Sequence, residues 1–215
     1  MKSQEALALL RKHGASEGVI GHVKKVRDYA LEIAREAGAD LELVEAGALL
    51  HDIGRSKTHG IDHAVVGAEI LRREGVDPRI VRIVERHVGA GITKEEARWL
   101  GLPPKDYIPQ TLEEKIVCHA DNLTGDRRRI NIHEALDKAL KKWSPGAADR
   151  LVQMHFDVFR PQEAELLRCD KEAVERSIGK LDVLYKIYPR GEGCRVAAYG
   201  HDAKKAAARL RSLKA

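Results

Sequence analysis

Aromatic side chains are scarce in this chain: they make up 4% of 215 residues, with two tryptophans and two phenylalanines. They do not alternate with the basic residues, so no dedicated stacking platform for nucleic acid is written into the sequence. Long hydrophobic runs are missing too. No stretch reaches the roughly 20 apolar residues that a membrane span requires. The N-terminus alternates polar and apolar residues and soon reaches charge, unlike a secretory signal. The expectation is a cytoplasmic protein that does not enter a membrane. Three cysteines, at 118, 169 and 194, are odd in number and scattered, which argues for reduced thiols rather than a disulfide framework. Cys118, a lone thiol on an apolar helix, reads as packing.

Charge is abundant. Charged residues are 33% of the chain, against a usual level of about 25%, a bias shared with heat-adapted proteins. The net charge of +5 and pI near 9.1 favour a polyanionic partner such as a nucleotide or an RNA end. The basic tail at 204–214 supplies much of that excess by itself.

Every strong periodic signal is helical. Ser16 can cap a helix that runs to about Gly38, and Asp40 can cap the next, which carries Leu43, Val44, Ala46, Gly47 and Leu50. Asp62 can start a third helix, with Ile61 and Val66 placed as a hydrophobic staple and an end near Gly75. Asp77-Pro78 opens a fourth, stopped by glycines at 89 and 91. A short helix over 93–100 precedes a proline-rich stretch, and Thr111 opens another helix. Ser144-Pro145-Gly146 breaks the pattern, and an apolar stripe from Leu166 to Ile187 predicts one long helix over 161–188. Only 195–199 alternates like a strand, and it is short. The fold class is therefore all-α: a helical bundle over 1–143 and a C-terminal helical extension over 144–215. The stripe packs on the bundle or on a second copy, so a homo-oligomer is compatible with it. The segment from Gly191 matches no pattern.

The chemistry concentrates at His51-Asp52, which ends the apolar run 46–50 and is followed by Ile53-Gly54. An imidazole and a carboxylate side by side at the end of a buried helix make half of a divalent-metal site. The same two letters recur at His201-Asp202, in a polar tail without that context. His22 lies on a helical stripe with Val19, Val23, Val26, Tyr29 and Ile33, so it faces inward. Asp121 follows Ile116, Val117 and Ala120, and a buried carboxylate there is costly without a cation. Read singly, His22 is a satisfied core histidine and Asp121 a helix-terminal aspartate. Read together, two imidazoles and two carboxylates on three helices point to metal ligation by His22, His51, Asp52 and Asp121. The mixed donor set suits Mn, Fe, Co, Ni or Zn.

These residues give the chain a resemblance to the HD superfamily of metal-dependent phosphohydrolases, in its HDIG branch. The matching positions are His22, the string His51-Asp52-Ile53-Gly54, and Asp121 at the end of the helix that begins Leu112-Glu113-Glu114. Asp62-His63-Ala64-Val65-Val66-Gly67 resembles the family's segment after the HD pair. The resemblance implies an HD-type helical domain and one divalent ion, with His63 and His87 available to a second. Branches with larger metal clusters often carry paired histidines where this chain has His87-Val88, and Arg55 stands where several relatives carry lysine.

Metal-activated water attacking a phosphoester is the expected chemistry, with Asp52, Arg55 and His63 as catalytic residues. Arg55 and Lys57, in the loop between two of the helices, are placed to bind phosphate. His59 in the same loop reads equally as solvated. Related diadenosine-tetraphosphate hydrolases bring an arginine shortly after the aspartate to substrate phosphate, which singles out Arg127 or Arg128. The resemblance admits 2′,3′-cyclic phosphates, diadenosine tetraphosphate and nucleoside monophosphates. A cyclic phosphodiester or small nucleotide is the favoured substrate, and a metal-binding regulatory protein without turnover is the alternative. The loop holding Trp99 and Tyr107 could wall a pocket or stack a base, although such residues more often anchor a connection. His119, two positions before Asp121, points away from the ligand set.

Overall fold

The computed structural model describes residues 1–125 and 128–213. The bundle is built from α1 (Ser3–Lys12), α2 (Glu17–Ala37), α3 (Leu41–Leu50), α4 (His63–Arg73), α5 (Pro78–Glu85), α6 (Lys94–Trp99), α7 (Leu112–Asn122), α8 (Ile132–Lys142) and α9 (Pro145–Val158). Local chemistry explains the boundaries. Ser16 Oγ accepts the Val19 N–H at 3.3 Å and Gly38 ends α2 in the left-handed region at φ 76°. Asp40 caps α3 through the Leu43 N–H at 3.1 Å, Asp77 caps α5 through Arg79 at 2.8 Å, and Thr111 caps α7 through Glu114 at 3.3 Å. Asp62 sits at the start of α4, but its carboxylate accepts the Thr58 hydroxyl at 2.9 Å instead, and Ile61 is left 40% exposed.

α3 is apolar on nearly every side, so it is stable only in the middle of the bundle. It packs against α1, α2, α5 and α7. Leu49, Leu50, Ile53, Ile83 and Ile116 are all but fully buried around it, each contributing roughly 1.5–3 kcal/mol. Two buried carboxylates set the end of α5. Glu114 accepts from Arg86 Nη1 at 2.8 Å and from the Gln110 N–H at 2.7 Å, and Glu85 accepts from Arg72 at 2.6 Å and Lys105 at 2.7 Å. Burial raises the Glu85 pKa, but its two cationic partners outweigh that and hold it low.

After α3 the chain makes a single 3₁₀ turn, Ile53–Ser56. Gly54 in this turn lies directly against the start of α4. A β-carbon there would collide with the His63 carbonyl oxygen and lie 2.8 Å from the Gly67 nitrogen. The missing side chain lets the Asp52 turn and the His63 helix close on one another.

The segment read as one helix over 161–188 is instead β1 (Gln162–Leu166), α10 (Lys171–Ile178) and β2 (Leu184–Arg190), followed by β3 (Gly193–Tyr199) and α11 (Ala203–Arg211). The strands form an antiparallel sheet in the order β1-β3-β2, with Ala164 opposite Val196 and Ile187 opposite the same residue. The extension is therefore not purely helical, although the predominantly helical bundle with a C-terminal extension holds. The stripe satisfies two periods: Val174 and Ile178 face inward from a helix, and Ala164, Cys194, Val196 and Ala198 from strands, in one small core with α11. Asp170 restarts the helix by accepting the Ala173 N–H at 2.9 Å, and Leu167, counted in the stripe, is 81% exposed. Pairing with β3 overrides the local helical preference. Pro189 is tolerated because β2 is an edge strand.

The boundary drawn at 143 also moves. Ser144 is a cap, accepting the Ala147 N–H at 3.2 Å, so the Ser-Pro-Gly break begins α9. Leu151, Met154, Val158 and Phe159 then pack into the main core, while the second core begins at Ala164. The units join through a buried chain: His155 Nε2 donates to the Tyr199 carbonyl at 2.9 Å, which leaves His155 Nδ1 to accept from His119 Nε2 at 3.1 Å. Burial pushes His155 down to about 4, so it stays neutral. Among the described residues no helix is long and apolar enough to cross a membrane.

Two expectations follow. Gly54→Ala should lower stability by about 1–3 kcal/mol or more through overpacking, read as a drop in thermal midpoint; an unchanged midpoint would refute the close-contact account. Glu96 accepts from Ser144 at 2.5 Å, the Thr93 N–H at 2.8 Å and Arg150 at 2.7 Å, tying α6 to α9. Burial opposes its charge, but these donors prevail and bring its pKa down to about 2, from an ordinary 4.5. Its stabilisation, of order 1 kcal/mol, is present above pH 4.5 and disappears as pH falls towards 2. The gap in urea midpoint between wild type and Glu96→Gln should therefore close over that interval.

Candidate metal centre

Six side chains from six places in the fold converge. His22 comes from α2, His51 from the end of α3, Asp52 from the following turn, His63 from the start of α4, His87 from just after α5 and Asp121 from α7. His22 Nε2 is 2.9 Å from Asp121 Oδ1 and 4.0 Å from Asp52 Oδ2. His51 Nε2 is 3.6 Å from Asp121 Oδ1 and 3.7 Å from Asp52 Oδ2. His63 and His87 approach Asp52 Oδ1 at 3.4 and 3.6 Å, and their Nε2 atoms lie 3.0 Å apart. Ligand atoms of His22, His51 and Asp121 lie within 4.8 Å of one another, as do those of His51, Asp52 and His87. His51 is thus shared by two triads, which leaves room for one ion or two.

The protons on three of these rings are dictated by the backbone. His51, His63 and His87 each direct Nδ1 at the carbonyl three residues back, on Ala48 at 2.8 Å, Gly60 at 2.8 Å and Val84 at 2.7 Å. A carbonyl only accepts, so each Nδ1 carries hydrogen and each neutral ring turns an Nε2 lone pair to the centre. Such bonds to the far nitrogen orient metal-binding imidazoles.

Charge and burial complete the fit. His51 Nε2 is buried without a hydrogen-bond partner, facing two carboxylates. An orphaned lone pair opposite anionic oxygens, and the His63 and His87 Nε2 atoms 3.0 Å apart, repel unless a proton or a metal cation lies among them. Burial lowers the His51 pKa, and burial followed by the neighbouring His87 brings His63 to about 4. Burial alone would raise both carboxylates, but charge on the surrounding rings and hydrogen bonds from His87 and His22 bring Asp52 well below and Asp121 below the usual range, and the same contacts raise His87 and His22, so these two rings take up the positive charge where no ion does. The set of nitrogen and oxygen donors fits a divalent transition ion.

Of the residues expected to meet phosphate, Arg55 is at the centre: its Nε donates to Asp52 Oδ1 at 3.2 Å and its Nη1 to the His59 carbonyl at 2.9 Å. Lys57 is exposed at the end of the 3₁₀ turn. Arg128 is turned to Glu134 at 2.8 Å rather than to the ligand set, and Arg127 lies outside the described residues. His119 faces His155 instead of Asp121. Tyr107 anchors its loop, donating to the Pro103 carbonyl at 2.9 Å, whereas Trp99 is 92% exposed.

Sequence reading missed the support around Gly89. Asn122 Nδ2 donates to the Gly89 carbonyl at 2.6 Å and Cys118 Sγ at 3.0 Å, so α7 fixes the chain just after His87. The signal was an amide directly after Asp121.

With this geometry the family follows. The HD domain model matches residues 19–126, and the chain belongs to the HD superfamily of metal-dependent phosphohydrolases, in its HDIG type. It is 55% identical over 152 residues to a tRNA (cytidine(56)-2'-O)-methyltransferase of Thermoplasma volcanium, covering 71% of this chain and 45% of that protein. An uncharacterized protein of Methanocaldococcus jannaschii is 55% identical over 147 residues, 66% of this chain and 86% of that one. Ribonuclease Y of Thermosipho melanesiensis is 35% identical over 130 residues, 58% of this chain and 22% of that protein. The chain spans under half the length of the methyltransferases it matches.

Adding Mn, Co, Ni or Zn ions at a hundredfold excess over Kd should stabilise the fold by about 2.7 kcal/mol. His51→Ala should abolish that rise in thermal midpoint. An equal response in wild type and variant would place the ion elsewhere.

Proposed function

We propose that the chain hydrolyses a phosphoester of a nucleotide-like substrate, a 2′,3′-cyclic phosphodiester or a small nucleotide. The observation that carries this reading is the convergence of backbone-oriented Nε2 lone pairs on Asp52 and Asp121, with the Arg55 guanidinium beside Asp52. His22, His51, Asp52 and Asp121 would hold one divalent ion, with His63 and His87 available to a second. Such an ion supplies Lewis acidity, lowering the pKa of water and offsetting charge on phosphoryl oxygens.

The protein's own groups do the rest. Arg55 spends two donors on Asp52 and the His59 carbonyl, and its remaining N–H groups are free to bind an anionic oxygen. Because the guanidinium stays charged, it neutralises the phosphoryl group through the reaction. His63, neutral and oriented by Gly60, keeps an Nε2 lone pair for a ligand role or for a proton. Lys57 adds positive charge at the rim. The bundle holds these groups on helix ends, where a small displacement would cost rate.

An RNA end is the second reading. Two kinds of relative carry RNA in their names, a tRNA methyltransferase and Ribonuclease Y, and a 2′,3′-cyclic phosphate at an RNA terminus offers the same reacting group.

Metal-loaded protein should cleave nucleoside 2′,3′-cyclic phosphates, and Asp52→Ala should reduce kcat by at least a hundredfold, in line with removing a principal electrostatic group. Arg55→Lys should keep some activity and Arg55→Ala less. Absence of turnover on cyclic and linear phosphoesters alike would leave the metal-binding regulatory alternative.

A further inference from the structure

Beside the metal centre lies a cavity of about 740 Å³ whose wall is mostly apolar. It contains none of the ligand atoms but starts next to them. Val88 and Gly89 follow His87 directly, and Ile61 lies between Gly60, which orients His63, and His63 itself. The Gly89 carbonyl is held by Asn122, the neighbour of Asp121. One rigid segment therefore borders both spaces.

The chain has two tryptophans, and both line this cavity. Trp143 is anchored, with its ring packed over Gly89 so closely that a β-carbon there would lie 3.8 Å from the indole. Trp99 is 92% exposed, far more than its packing needs would give a residue type that is usually buried. Three of the polar groups in the wall, Glu96, Ser144 and Arg150, are engaged with each other, and Glu95 and Lys142 add charge to the lining. Glu96 holds Ser144 and Arg150, and Arg150 also donates to the Ala90 and Gly91 carbonyls at 3.3 and 2.9 Å. What the interior offers a ligand is apolar area and two indole faces.

From these observations we infer that the cavity is the subsite for the base of the substrate, which stacks on Trp99 and Trp143 while its phosphoester lies at the metal centre. This rests on the phosphohydrolase reading for the position of the phosphate, but base binding is separately measurable. The volume falls within the usual range for small-ligand sites, roughly 300–1,000 Å³, and exceeds what a phosphate or sugar phosphate needs. Stacking tolerates every base because each has a π face. Because its wall is mostly apolar, the site discriminates weakly among purines and pyrimidines and strongly against phosphoesters without an aromatic base.

Both tryptophans report on this one space, so their fluorescence is a direct probe. Titration of the intact protein with adenosine, guanosine, cytidine or uridine, none of which carries phosphate, should give saturable quenching, and ribose 5-phosphate should give none. Trp99→Ala, at a position too exposed to endanger folding, should weaken nucleoside binding about tenfold, equivalent to about 1.4 kcal/mol. The same variant should lower the ratio of kcat/KM for a nucleoside cyclic phosphate over glycerol cyclic phosphate about tenfold. Trp143→Phe isolates Trp99 as the reporter, and its quenching by nucleosides should persist. Failure of nucleosides to quench, or an unchanged ratio in Trp99→Ala, would overturn the assignment. So would sedimentation showing a dimer dissolved by Trp99→Ala, because a second copy would then cover the indole. Should the metal-loaded protein hydrolyse no phosphoester while nucleosides still quench, the phosphohydrolase reading fails and the base-binding cavity stands.

Discussion

The candidate metal centre depends on hydrogen bonds made outside it. Three imidazoles each give their Nδ1 proton to a carbonyl three residues back, and this single repeated contact decides where the lone pairs point. Had the rings flipped, their N–H groups would hydrogen-bond the carboxylates, and the cluster would satisfy itself without a cation. The backbone thus makes the centre electrostatically incomplete. The buried, unpartnered His51 Nε2 is where that shortfall is plainest.

The scaffold converts sequence distance into proximity by placing ligands at helix ends and turns. His51 ends α3, Asp52 begins the turn after it, His63 opens α4 and His87 follows α5. Each of the three histidines is thereby tied to a carbonyl of its own turn while its Nε2 faces the centre. Buried ion pairs keep these ends in register: Arg86 on Glu114 braces the residue before His87 against the helix that carries Asp121. Replacing one partner of such a pair leaves a buried charge uncompensated, which is costly even though the pair itself adds little net stability.

The bundle was legible because its caps are local. Ser16, Asp40, Asp77 and Thr111 announce helix starts by residue type, and each makes the side-chain bond expected of it. The HD pair could be read because a carboxylate at the end of an apolar helix demands a partner. The extension could not be read in the same way. Leu166, Val174, Ile178, Leu184 and Ile187 fit a helical stripe, but strands 162–166 and 184–190 exist because 193–199 pairs with both, and that is a long-range contact. Ser144 reads as a breaker in the sequence because a cap and a break use the same residues. Arg128 illustrates a further limit: adjacency to Asp121 in the chain says nothing of the Glu134 carboxylate that holds its guanidinium.

The imidazole chain from His119 through His155 to Tyr199 has a direction set at its far end. Because the Tyr199 carbonyl can only receive, every proton along the row is displaced one way, and the last free lone pair falls on His119 Nδ1 inside the bundle. The sheet is therefore a terminus that the bundle's polar interior requires. A descendant of this chain that exchanged the sheet for another module would have to bring a new acceptor to His155 or give up the ring.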